Sequence, residues 1–118
     1  MATKPSDIER VGHMVESIKK IFRYTKALSL DDFLKNDLVQ DAVVKNFEVI
    51  GEAAYHLTSD LKDKYNHIEW SKIQRLRHIL VHDYYQINPE ILWDTKEQHL
   101  HNLLADLEIL LDRESTVN

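Results

Sequence analysis

The sequence predicts an all-α protein, an antiparallel bundle of four to five helices, on three observations. Two Gly and two Pro in 118 residues leave little punctuation for strands and hairpins. Apolar residues recur at three and four rather than at two. Ser, Asn and Pro stand where helices would need caps and first turns. At this length one domain over residues 1–118 is expected.

The first helix is expected from Ser6, with Glu9 completing a capping box, to about Leu28 on a stripe of Ile8, Val11, Val15, Ile18 and Phe22. Ser29 and Asp32 repeat the cap for a short turn through Phe33 and Leu34. A second long helix is expected over Leu38 to about Leu57, and Ser59 to Tyr65 reads as a short polar helix or loop. The next helix spans about Trp70 to Tyr84. Asn88 then caps a final helix with Pro89 at its first position and Leu100, Leu103, Leu104, Leu107 and Leu111 as its buried stripe. Four long amphipathic helices on short connections pack most simply antiparallel.

Composition limits the function. No Cys means no disulfide framework and no zinc-thiolate site. No apolar run approaches the roughly twenty residues of a membrane span, and no secretory apolar region stands at the N-terminus, so a cytoplasmic protein without a membrane partner is expected. A net charge of −5 argues against binding nucleic acid by a broad basic surface. Residues 71–82, however, hold Lys72, Arg75 and Arg77 with no acid, a local cationic cleft suited to a few phosphates.

The helical pattern is violated at informative places. Arg77 falls between Val81 and Tyr84 at the edge of the apolar face, where a permanent charge needs a carboxylate, a phosphate or several acceptors. Tethering of helices through Glu52 or Glu48 would satisfy it as well as a ligand would. Asn46 falls on the apolar arc of Val39, Val43, Ile50, Ala53 and Leu57, so it should be buried and partnered. Gly51 costs its helix about 1 kcal/mol against Ala, and close approach of another helix would explain it; tolerated drift is the alternative. Glu48, Glu52 and Tyr55 form a second face on that helix which a homodimer contact would use. His78 and His82 share a helix face at i,i+4, but no carboxylate joins them at ligand spacing, so neither metal nor cofactor is expected.

The string Arg77-His78-Ile79-Leu80-Val81-His82-Asp83-Tyr84 is Arg-x4-His-x-Tyr. It places a fixed cation, a base that titrates near neutrality and a phenol within two helical turns, groups able to act on a phosphodiester without a metal. With the Trp70 that precedes it and Asn46-Phe47-Glu48-Val49-Ile50-Gly51-Glu52-Ala53 upstream, the chain resembles the HepT-like branch of the HEPN superfamily from about Asp7 through the last helix. Two positions depart from the family pattern: His78 stands where Asn or another small polar residue usually follows the motif Arg, and Lys45 where Arg is common before the Asn.

The resemblance implies a homodimeric endoribonuclease toxin, independent of metal, with RNA as substrate and Arg77 and His82 as catalytic residues. It also implies a minimal nucleotidyltransferase antitoxin as partner, with Tyr84 the acceptor of AMP. His78, Asn46, Glu52 and Arg75 are the supporting or phosphate-binding candidates. Tyr84 is equally placed to pack as a core-edge phenol against Leu80, and the two roles are compatible. The competing expectation is a helical partner subunit of a nucleotidyltransferase that holds a nucleotide or RNA without cutting it.

Overall fold

The computed structural model describes residues 5–82 and 88–115, the side chains of 78–82 excepted. Its helices are α1 (Asp7–Thr25), α2 (Leu30–Leu34), α3 (Asp37–Tyr55), α4 (Ser59–Lys64), α5 (Trp70–His82), α6 (Pro89–Thr95) and α7 (His101–Ser115), with a π-helical turn over Lys96–Leu100. No strand occurs among the described residues, and no helix among them is long and apolar enough to cross a membrane.

Local chemistry sets the helix ends. The Ser6 hydroxyl accepts from the Glu9 N–H at 3.1 Å, while the Glu9 carboxylate meets the Ser6 hydroxyl instead of its N–H, so the expected box is half formed. At Ser29 and Asp32 both bonds are present. Helix α1 stops at Thr25, three residues short of the expected Leu28, where the Thr25 hydroxyl bonds back to the Ile21 carbonyl at 2.8 Å and competes with further ladder bonds. Helix α3 starts one residue before Leu38 because Asn36 caps it, accepting from Val39 N–H at 3.0 Å, and it ends at Tyr55 rather than Leu57. Thr58 caps α4, which resolves the helix-or-loop alternative as a helix.

The bundle is antiparallel. Asp7 at the start of α1 bonds Thr58 just beyond the end of α3, through N–H at 3.1 Å and hydroxyl at 2.5 Å. Lys19 of α1 meets Glu108 of α7, and Phe22 stacks on His101 one turn further along, with ring centroids 4.4 Å apart. Helix α3 lies between α1 and α5, and α7 covers the other side of α1. Val11, Met14, Ile18, Ile21, Phe33, Val43, Phe47, Ile50, Leu100, Leu107 and Leu110 are fully enclosed, which at about 25 cal/mol per Å² of apolar surface is the main source of stability. Trp70 opens α5 buried, its indole N–H on the Tyr65 carbonyl at 3.1 Å.

The final helix departs most from expectation. Asn88 and Pro89 start it as read from the sequence, but the π turn divides it. The extra residue rotates the following face, so that Leu107 and Leu110 are buried while Leu103, Leu104 and Leu111 are only half-buried. The same turn buries Lys96, whose ammonium lies 3.5 Å from the centroid of the Trp93 ring and 2.5 Å from a Glu97 carboxylate oxygen.

Candidate active site

Gly51 positions the site. A Cβ there would lie 2.5 Å from the Arg77 backbone nitrogen, 2.7 Å from its Cβ and 2.9 Å from its Cα, so α3 and α5 touch backbone to backbone at the motif arginine. Close approach, not drift, accounts for this glycine.

The Arg77 side chain leaves that contact along α3. Its Nε pairs with the Glu52 carboxylate, and its guanidinium carbon sits 4.1 Å from the centroid of the Tyr55 ring. The other Glu52 oxygen holds the His56 ring at 2.8 Å. Two neighbours thus fix the guanidinium: a carboxylate sets its in-plane direction and an aromatic face sets its tilt. The side chain stays 37% exposed, so the pair is screened and contributes orientation more than stability.

Arg77 opens on a cleft between α1 and α3 whose walls carry Arg10, His13, Lys45, Glu48, Val49 and Glu52. Arg10 and His13 were not among the residues singled out from the sequence. They flank the apolar stripe of α1, and only the packing of α1 on α3 brings them to Arg77. Asn46 is buried as expected, and its amide nitrogen bonds the Ala42 carbonyl of its own helix at 2.8 Å.

Not every candidate joins this cleft. Arg75 is exposed, bonds the Ser71 carbonyl at 3.4 Å and does not line it. Lys72 pairs with Glu69 at 2.7 Å; the hydrogen bond and the positive charge hold the Glu69 carboxyl below its ordinary value. Tyr84 and the side chains of His78 and His82 lie outside the described residues, although the backbone of α5 reaches His82. Among the described residues no three His, Cys, Asp or Glu side chains gather as a metal site would need.

A basic cleft with a held arginine at one end can grip a phosphate. A family profile described as "Ribonuclease HepT-like" matches residues 14–110. A Methanocaldococcus jannaschii protein named "Putative RNase" is 37% identical over 98 residues, covering 83% of this chain and 81% of that protein. A Thermococcus cleftensis protein named "Probable ribonuclease HepT" is 30% identical over 107 residues, 91% of this chain and 97% of that one. A second M. jannaschii protein, named "Gamma-glutamylcyclotransferase and putative RNase", is 34% identical over 97 residues, 82% of this chain but only 44% of its own length. No solved structure matches significantly. The chain belongs to the HepT-like ribonuclease family, a branch of the HEPN superfamily.

Proposed function

We propose that this chain is a metal-independent endoribonuclease toxin that acts as a homodimer. The observation that carries the proposal is the setting of Arg77, jammed at its backbone, oriented by Glu52 and Tyr55, and exposed to a basic cleft. Arg77 and His82 are about 140° apart around α5. Two symmetric copies of α5 bring an arginine and a histidine to one phosphate from opposite sides more directly than one copy can.

The ribose 2'-oxygen attacks the adjacent phosphorus while the bond to the 5'-oxygen breaks. His82 of one copy takes the 2'-hydroxyl proton and His82 of the other protonates the leaving 5'-oxygen, each contributing about 10²- to 10⁴-fold. Arg77 stabilises the charge that develops on the phosphoryl oxygens. The products are a 2',3'-cyclic phosphate and a 5'-hydroxyl. A nucleotidyltransferase partner transfers AMP to the Tyr84 hydroxyl, adding bulk and negative charge two residues beyond His82 and so excluding RNA.

The test is incubation of the parent and of His82→Ala with total cellular RNA in EDTA, with fragment ends mapped and intact mass recorded. The expected result is cleavage by the parent alone, with cyclic phosphate and 5'-hydroxyl ends and the same dimer mass for both. Cleavage by the variant removes His82 from the mechanism. A folded, unmodified parent that cuts nothing removes the catalytic reading.

A further inference from the structure

The cleft at Arg77 does not end at Lys45. His13, Lys45 and Val49 also line a second hollow that continues between α1 and α3 to Lys20, Asn46 and Tyr24. Because the two helices are antiparallel, the hollows form one trough along their seam, with Arg77 at one end and Tyr24 at the other. From Arg10 to Tyr24 the trough follows about 21 Å of helix at 1.5 Å per residue.

Its walls carry four Lys or Arg against three Glu, in a chain of net charge −5. One of those carboxylates, Glu52, is engaged by Arg77. Arg10, Lys20 and Lys45 have no carboxylate within ion-pair distance among the described residues, so all three charges are available to a ligand. Tyr24 is partly exposed, with the Arg23 guanidinium 5.5 Å from its ring centroid. An aromatic surface beside a cation is where an unstacked base settles. Asn46 uses its amide nitrogen on Ala42, which leaves Oδ1 as an acceptor on the trough floor. A ribose 2'-hydroxyl is a donor of the matching kind, and a deoxyribose has none.

We propose that the α1–α3 trough is the path of the single-stranded RNA flanking the scissile phosphate. Arg10, Lys45 and Lys20 follow its phosphates, and Tyr24 carries a base at the far end. The inference rests on the ribonuclease reading and adds where the strand lies. A segment of about four nucleotides, the lower end of known single-strand sites, suits the length.

The experiment measures fluorescence anisotropy of labelled single-stranded RNA against the parent, the Lys20→Glu, Lys45→Glu double variant and Tyr24→Leu, with circular dichroism and dimer mass recorded for each. Cleavage of a dinucleoside monophosphate, too short to span from Arg77 to Tyr24, is followed in parallel. Charge reversal is expected to weaken RNA binding more than tenfold and to flatten the dependence of log K on log salt by about 1.4, or 0.7 per lost single-strand phosphate contact. Tyr24→Leu is expected to weaken binding about tenfold. Dinucleotide cleavage by Tyr24→Leu, a position that lines the far hollow and not the cleft at Arg77, should stay at the parent rate.

Unchanged binding and salt slope would overturn the trough, as would a parent that binds no RNA. Loss of the dimer in the double variant would also overturn it, because the surface would then hold a second copy rather than RNA. An equal loss on the dinucleotide by Tyr24→Leu would trace the effect to Arg77 and sink the path. RNA held by the parent through Lys20 and Lys45 but never cut would leave the trough standing and sink the ribonuclease reading alone.

Discussion

Gly51→Ala tests the contact that places Arg77. The added Cβ would stand 2.5 Å from the Arg77 nitrogen, where ordinary contact begins at 3.4 Å, so α3 and α5 must part by about 1 Å. All three of the nearest atoms belong to Arg77, two of them backbone and the third its Cβ, so no flexible side-chain end can turn aside. Overpacking of this kind costs about 1–3 kcal/mol, and the backbone partners put it at the upper end. Helix propensity returns about 1 kcal/mol, leaving a net loss of about 1–2 kcal/mol. Gly12→Ala is the internal control: a Cβ at Gly12 meets nothing within 4 Å, so the same substitution should stabilise by about 1 kcal/mol. Urea unfolding at pH 7 should separate the two variants by about 2–3 kcal/mol, roughly 1–2 M in midpoint at usual denaturant slopes. A Gly51→Ala protein as stable as Gly12→Ala would refute the close contact and, with it, the account of how Arg77 is aimed.

Two further outcomes follow from the side-chain geometry. Glu52→Gln should change stability by less than about 1 kcal/mol, since the pair is half-exposed, but should lower kcat about tenfold or more by releasing the guanidinium; an unchanged kcat would show that Tyr55 alone orients it. Tyr65→Phe removes the 2.6 Å bond from the buried Tyr65 hydroxyl to Glu114, which together with Lys64 holds the Glu114 carboxyl below its ordinary value of 4.5. A lowered carboxyl stabilises the fold above that value and loses the contribution as pH falls through the lowered one. The same bond raises the Tyr65 phenol above 10.0, a contribution present below that pH and lost above it. Melting curves should therefore show Tyr65→Phe less stable at pH 7, with a smaller fall in acid than the parent; parallel curves would sink the linkage.

Much of this fold was legible because its determinants are local. Ser29 with Asp32, and Asn88 with Pro89, start helices where short-range chemistry says they must. Asn46 announced itself as a polar exception on an apolar arc and proved buried, and Gly51 announced itself by its cost to the helix and proved to sit at a backbone-to-backbone contact. The π turn was not legible, since one inserted residue leaves the apolar periods on either side intact and shifts only their relative phase. Arg10 and His13 were missed for another reason. On α1 alone they are ordinary flanking polar residues, and their meaning arises from a seam with α3 that closes between residues some forty positions apart.

Arg77 presents two demands that look opposed and are met by one geometry. A helix tether needs a carboxylate, and Glu52 supplies it through Nε. A phosphate ligand needs a guanidinium edge facing open space, and the half-exposed remainder of the group faces the cleft. Tethering alone does not explain what else is there. Arg10 and Lys45 crowd the same cleft without ion-pair partners among the described residues, and like charges gathered in a concavity repel one another more strongly as solvent is excluded. Glu48 and Glu52 offset part of that repulsion. On the ribonuclease reading proposed above, an anion seated against Arg77 would offset the remainder, which is how one arginine can serve both as tether and as ligand.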